Sequence, residues 1–173
     1  MEEYHEIYPD FGFDKHKGYG TKLHIEQLSK IKATPIHRKS FKIVKNHLPT
    51  FDFYKNQNYF HIIGAQLVAT QYIKKGFNLI DKNIVLLDSD DCIDYCYCSN
   101  EEQVYIRVIT KYDNKYYPKD NRPNIDIKKY VNNIRIINIE KETTKKISFN
   151  VILVEFITGN KPLVTVLENE KIN

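Results

Sequence analysis

The chain has 173 residues, of which 42% are hydrophobic and 28% charged, and this composition excludes a disordered chain and favours a globular one. The net charge of +4 and the pI near 8.8 are mildly basic, which suits a polyanionic partner without requiring one. We find no signal peptide and no apolar run long enough to cross a bilayer, so we expect a cytoplasmic protein with no membrane partner.

The positive charge is concentrated between residues 11 and 47, where lysines and arginines outnumber acids. Here Lys15 and Lys17 precede a glycine-flanked tyrosine, Gly18-Tyr19-Gly20. Glycines let a main chain approach a phosphodiester closely, lysines neutralise phosphates, and a tyrosine ring can lie against a sugar or base. Taken alone, the pattern is more typical of a plain turn, because loops that contain Gly, Lys and Tyr are common.

The elements around this loop follow from local signals. Thr21 is a suitable N-cap for a helix from Lys22 to about Lys32. Its inward positions are predicted to be Leu23, Leu28 and Ile31. The segment from Ile36 to Phe41 is predicted to be extended and basic.

A longer motif in this region carries a family resemblance. It reads Tyr8-Pro9-x-Phe11-Gly12-Phe13-x-Lys15-His16-Lys17-Gly18-Tyr19-Gly20-Thr21-x-x-His24, followed by Pro35-Ile36-His37-Arg38-Lys39-Ser40-Phe41. The stretch from about Met1 to Lys45 strongly resembles the C-terminal segment of ribonuclease HII, which cuts RNA beside ribonucleotides embedded in DNA. The resemblance implies that Tyr19 contacts the sugar at the ribonucleotide junction.

The same resemblance implies that Lys17, Arg38 and Lys39 lie near the nucleic-acid backbone. It also implies that the acids of the family's metal site precede Met1, so this stretch alone cannot hold two metal ions. Two explanations stay open: translation that starts further upstream, or a split gene with a separately encoded catalytic part.

The rest of the chain predicts an α/β domain. We place a linker at residues 49–57, between a ribonuclease HII segment at 1–48 and a second domain at 58–173. The second domain is predicted to open with a helix, Phe60–Lys75, that ends at Gly76. Predicted strands follow at Phe77–Ile80, Asn83–Leu87, Cys92–Cys98, Gln103–Thr110, Ser148–Ile157 and Pro162–Leu167. Tyr112–Asn124 is predicted to be a loop, and Ile125–Ile136 a helix, with a strand as the alternative.

This order predicts one mixed sheet flanked by helices. The helix motif Gly64-x-x-Leu67-x-Ala69-x-x-Tyr72-x-x-x-Gly76-Phe77-x-Leu79-Ile80-x-x-Asn83 resembles the opening of the YraN-like family, and Ile93-Asp94 and Ser148–Ile152 resemble its later strands. The resemblance implies a restriction-endonuclease-like fold, preceded here by the helical and loop tail from ribonuclease HII.

The departures from the YraN-like pattern fall on the chemistry. Ala65 stands where the family has Glu, Asp94 is the one acid kept on its strand, and Arg107 stands where the family has an acid. One carboxylate holds Mg²⁺ poorly, so we predict no metal cofactor and treat Asp94 as a catalytic remnant and a weak metal candidate. A cluster at residues 88–91 is the alternative source of carboxylates, in which case Mg²⁺ or Mn²⁺ would bind.

Arg107 with Lys111 is a candidate phosphate site, and a structural ion pair between Arg107 and Asp94 is the alternative. The cysteines of this region, Cys92, Cys96 and Cys98, share a strand face, which favours packing thiols over a zinc site or disulfides.

The sequence therefore predicts a nucleic-acid-associated protein of nuclease ancestry that has no catalytic activity of its own. Its partner would be DNA or an RNA/DNA hybrid. One alternative is a metal-dependent endonuclease that acts on RNA/DNA hybrids or DNA. Another is an interaction module that completes a separately encoded ribonuclease HII body.

Overall fold

A computed structural model describes residues 1–87, 89–113, 115–117, 125–139 and 145–172. Short helices form its first part: α1 (Glu2–Ile7), a 3₁₀ turn (Pro9–Phe11), α2 (Phe13–His16), α3 (Lys22–Ile31), α4 (Lys42–Lys45) and α5 (Phe51–Asn56). The second part comprises α6 (Phe60–Lys74), β1 (Asn78–Val85), β2 (Cys92–Cys98), β3 (Glu102–Tyr112), β4 (Lys115–Tyr117), α7 (Ile127–Asn138), β5 (Lys146–Phe156) and β6 (Leu163–Ile172).

The described strands form one six-stranded mixed sheet, which confirms the predicted α/β architecture. The strand order is β1-β2-β3-β5-β6, with β4 paired to the C-terminal end of β3. β3 and β5 are parallel from the Glu102–Lys146 pair to the Tyr112–Phe156 pair, and the other pairings are antiparallel. These two central strands are almost wholly buried or half-buried because both faces of the sheet are covered.

Helices cover the two faces of the sheet. On one face α6 and the N-terminal helices pack on a core that includes Val68, Tyr97 and Ile106. On the other face α7 contributes Tyr130 and Ile134 to a second core. The result is a three-layer arrangement with the sheet in the middle.

The N-terminal helices are tied to α6 by hydrogen bonds as well as by apolar contacts. The buried Tyr8 hydroxyl lies 2.8 Å from Oγ1 of Thr70, and Nε2 of Gln66 donates to the carbonyl oxygen of Ile7 at 3.2 Å. These bonds fix the first part of the chain on the sheet's α6 face. The domain boundary at residues 49–57 stays a prediction, and α5 lies within it.

Several predicted elements differ from the structure. One strand, β1, replaces the two predicted at 77–80 and 83–87, because Asp81 and Lys82 continue the pairing with β2 on an edge where charge is tolerated. β4 lies inside the predicted 112–124 loop, of which residues 118–124 are outside the described part. Ile36–Phe41 is folded into turns rather than extended, because the amides of His37 and Phe41 donate back to the carbonyls of Thr34 and Arg38.

The remaining predicted helices and strands agree with the structure within a few residues. Residues 125–136 are helical, not extended, and Asp126 caps α7 by accepting from the Lys129 amide at 3.2 Å. In the part of the chain that the structure describes, no helix has the length and apolarity needed to span a bilayer.

Candidate nucleic-acid interface

The conformation of the glycine-flanked loop is fixed by its backbone angles and by two hydrogen bonds to His16. Lys17 and Gly18 both have positive φ angles, 52° and 90°, which turn the chain sharply after α2. The Gly18 amide donates to Nδ1 of His16 at 3.2 Å, and the Tyr19 amide donates to the His16 carbonyl at 2.9 Å. The Tyr19 side chain is consequently held on the surface, 77% exposed.

Helix α3 begins directly after this loop. Thr21 caps it as predicted, because its side-chain oxygen accepts from the His24 amide at 3.3 Å. Leu28 faces the core, but Leu23 is 43% exposed and His24 is buried. His24 and Leu28 are four residues apart and so share one helix face, which makes His24 rather than Leu23 the inward residue of the first turn.

A second turn, at residues 34–41, presents Arg38 and Lys39 to solvent. The Thr34 amide donates to Nδ1 of His37 at 3.1 Å, which fixes this turn around a half-buried histidine ring. The Arg38 guanidinium lies 5.4 Å from the centre of the exposed Phe41 ring. The turn therefore places a cation and an aromatic face side by side.

A histidine cluster, His16, His24 and His37, joins the loop to the turn. Nε2 of His24 lies 3.0 Å from Nε2 of His37, and the His16 and His24 rings are 5.1 Å apart. Because Nδ1 of His37 accepts from Thr34, its ring proton lies on Nε2 and is donated to His24. Burial lowers the pKa of His37 to about 4 and, with His16 nearby, lowers the pKa of His24. The cluster thus fixes the loop relative to the turn.

These elements enclose a groove of about 630 Å³, here called the basic groove. Lys17, Gly18 and Arg38 line it, so the structure brings these three predicted nucleic-acid contacts together. Lys39 instead lines a neighbouring groove of about 580 Å³, and Lys15 is exposed on α2 outside both grooves.

The two basic residues predicted on β3 have different surroundings. Arg107 is 4% exposed, and its Nη1 donates to Oδ2 of Asp94 at 3.2 Å and to Sγ of Cys92 at 3.2 Å. Lys111 donates to Oε1 of Glu155 at 2.8 Å. The ion pair that the sequence left as an alternative for Arg107 is therefore present.

Asp94 is committed to internal bonds. Besides Arg107, its Oδ2 accepts from the Val108 amide at 2.7 Å. Burial raises the pKa of the Asp94 carboxyl, which Arg107 counteracts. Both bonds are made to Oδ2, and the adjacent guanidinium charge opposes the approach of a divalent cation.

Two of the other proposed acids, Asp90 and Asp91, do not form a metal cage with Asp94. Asp91 pairs with Lys129 at 2.8 Å, Asp90 is exposed, and Asp88 lies outside the described residues. Across the described ranges, no group of three or more His, Cys, Asp or Glu side chains is placed to hold a metal ion. The residues around Asp94 do not fit the two-metal centre of a nuclease.

The nearby cysteines have separate surroundings. Cys96 is buried in the α7-side core, whereas the half-buried Cys98 thiol lies 2.8 Å from Nζ of Lys145. None of the three cysteines, all of which the structure describes, forms a disulfide.

Comparison with known proteins gives a partial match. The chain is 60% identical over 47 residues to ribonuclease HII of Bacillus licheniformis, covering 27% of this chain and 18% of that protein. It is 58% identical over 48 residues to ribonuclease HII of Hydrogenovibrio crunogenus, covering 28% of this chain and 23% of that protein. About a quarter of this chain is similar to ribonuclease HII.

The chain spans about a fifth of the length of these ribonuclease HII relatives. A third relative, ribonuclease HII of a Sulfurihydrogenibium species, is 56% identical over 46 residues, or 27% of this chain and 23% of that protein. The similarity supports nuclease-related ancestry for a stretch as long as the predicted ribonuclease HII segment. No family model matches the chain, and no solved structure matches it, so the YraN-like resemblance stays a prediction.

Sequence reasoning missed two features of this site. The first is the histidine cluster, for which the i, i+4 spacing of His24 and Leu28 was the signal that could have revealed a buried ring. The second is Phe41, whose exposure depends on the turn at residues 34–41 and is not visible in sequence periodicity.

Proposed function

We propose that this protein binds nucleic acid through the basic groove and does not hydrolyse it unaided. The observation that carries the proposal is the convergence of Lys17, Gly18 and Arg38 on one groove, with Tyr19 exposed beside it. The similarity to ribonuclease HII over about a quarter of the chain supports a DNA or RNA/DNA-hybrid ligand.

Each part of the groove has a role in this proposal. Lys17 and Arg38 neutralise backbone phosphates, and the small Gly18 allows the backbone close approach. Tyr19 lies against a sugar or base, and Lys15 and Lys39 add charge on either side. Arg107 and Lys111 are left out as contacts because each already pairs with a carboxylate.

We propose that the protein does not hydrolyse nucleic acid unaided because Asp94 is already paired with a cation. Cleavage with metal assistance needs several carboxylates around the ion, whereas Asp94 faces the cationic Arg107. Arg107 would repel a divalent cation brought to this carboxylate.

Fluorescence anisotropy of a labelled nucleic acid at several salt concentrations tests the binding. If Lys17 and Arg38 each contact one phosphate, Lys17→Gln and Arg38→Gln should each reduce the slope of log K against log salt by about 1. Lys128→Gln is the matched control, since Lys128 is exposed on α7, across the sheet from the groove. Equal effects of all three substitutions would refute the assignment of the groove.

A further inference from the structure

Two exposed aromatic rings flank the basic groove. Tyr19 is 77% exposed and Phe41 is 58% exposed, and every other Phe or Tyr side chain whose exposure the structure describes, which leaves out Tyr117, is buried or half-buried. Phe41 lines the groove itself, and Tyr19 lies between two lining residues, Gly18 and Gly20. Most of the described aromatic rings are covered by other parts of the protein, whereas these two exposed rings lie beside the same groove.

The charges beside these rings all have one sign. Lys17, Arg38 and Lys42 line the groove, and no described Asp or Glu does. The Arg38 guanidinium lies 5.4 Å from the Phe41 ring centre, so a cation borders the ring that is free to stack. Alternating cations and open aromatic faces match a chain of phosphates and bases.

The floor of the groove is different in character from its rim. It is formed by apolar and aromatic side chains, including Phe13 and Leu28, together with the uncharged His24 and His37. At about 630 Å³ the groove lies within the size range of sites that hold whole small molecules, so a nucleobase with its sugar has room there.

We infer that the basic groove binds single-stranded nucleic acid, with unpaired bases stacked on Tyr19 and Phe41 and phosphates on Lys17, Arg38 and Lys42. This inference rests on the proposed function and adds that unpaired strands, including single-stranded tails of a duplex, are what the two rings bind. Bases in a duplex are stacked on one another and show only their edges, so they cannot cover these rings. An acidic amphipathic segment of a protein is the competing occupant, and the test includes it.

The test compares the full chain with its Phe41→Leu variant by anisotropy, using a short single strand and a blunt duplex of the same sequence. Phe41→Leu keeps an apolar side chain but removes the stacking face, so single-strand affinity should fall about tenfold. Duplex affinity should not change. Phe53→Leu is the matched control, because Phe53 also has a cation near its ring, Lys32 at 5.9 Å, but lies outside the groove.

The outcomes separate this inference from the proposed function. Loss of binding in Lys17→Gln with none in Phe41→Leu would leave the proposed function standing and refute the stacking. Absence of binding to either ligand by the wild-type protein would refute both. A one-to-one complex with a synthetic acidic amphipathic peptide, without oligonucleotide binding, would assign the groove to a protein partner instead.

Photocrosslinking provides an independent readout that does not depend on a variant. An oligonucleotide carrying 5-iodouracil should, on irradiation, form adducts at Phe41 or Tyr19, which mass spectrometry of the digested complex would locate. Adducts confined to other residues would overturn the inference.

Discussion

Replacing Arg107 with methionine would leave Asp94 as a buried carboxylate without its cation. The side chains of Arg107 and Asp94 are 5% and 18% exposed, and their closest atoms are 3.2 Å apart. Removing one partner of a buried pair typically costs about 3–5 kcal/mol. Asp94 keeps its bond from the Val108 amide, so we expect a loss near the lower limit, about 3 kcal/mol, in the free energy of unfolding.

A second substitution tests whether this loss comes from the unpaired charge. Asp94→Asn keeps an oxygen that can accept from Val108 while removing the charge. In the double variant with Arg107→Met, it should recover about 2 kcal/mol of the loss, measured as a coupling free energy. Lys111→Met on the same strand removes the more exposed ion pair with Glu155, so it should lower the free energy of unfolding much less than Arg107→Met does.

Urea unfolding followed by circular dichroism measures all five proteins: the wild type, the three single variants and the double variant. Arg107→Met should lower the urea midpoint without changing the slope of the transition. An unchanged midpoint would refute the reasoning. So would stabilisation of the wild type by Mg²⁺ that disappears in Asp94→Asn, because Asp94 would then be a metal ligand.

Other parts of the fold give further predictions. Gly64→Ala should lower the stability measured by thermal unfolding by about 1–3 kcal/mol, because the added Cβ would lie 1.8 Å from Cγ2 of Thr110. Adding Thr110→Ser should restore part of this loss, and an unchanged stability of Gly64→Ala would contradict the contact. Tyr8→Phe removes the 2.8 Å bond to Thr70 and should cost about 1 kcal/mol and speed proteolysis of the N-terminal helices, whereas unchanged proteolysis would contradict a fastening role. Acidification from about pH 6.5 to 4 should destabilise the fold, because burial lowers the pKa of His37 to about 4, so the unfolded chain binds more protons in that range. We expect a loss of about 1–2 kcal/mol in the free energy of unfolding, a figure that allows for solvent screening. A His37→Gln variant whose stability depends on pH in the same way would contradict the assignment of this loss to His37.

The sequence predicted best the elements with strong local signals. The α6 helix has apolar residues at helical spacing and ends at a glycine with a φ of 84°. β3 and β5 are rich in β-branched and aromatic residues, as expected for strands covered on both faces. Their parallel pairing required only that a helix connect them, and α7 does so.

The elements that sequence reasoning missed depend on tertiary contacts. α5 is short and polar in part, and its Phe51 ring is placed by contacts with Phe60 in the next helix and with Tyr112, which is distant in sequence. β4 has three residues, and it forms by pairing with the C-terminal end of β3. Neither has a periodic pattern long enough to detect.

The candidate site divides in the same way. The exposed loop around Tyr19 could be predicted because glycines and lysines act locally. The partner of Arg107 could not be predicted, because an arginine on a strand can pair with a phosphate or with a carboxylate. The sequence does not show which of them lies beside it. Asp94, thirteen residues earlier on the paired strand, decides it through a direct bond.

One measurement tests the central claim most directly: binding and cleavage followed in the same sample. The ligand is a labelled duplex with one embedded ribonucleotide and a single-stranded tail, mixed with saturating protein in Mg²⁺ and then in Mn²⁺. We predict a salt-sensitive complex that weakens in Lys17→Gln, with the strand intact in both metals. Strand cleavage that is abolished by Asp94→Asn, or the absence of any complex, would contradict the account.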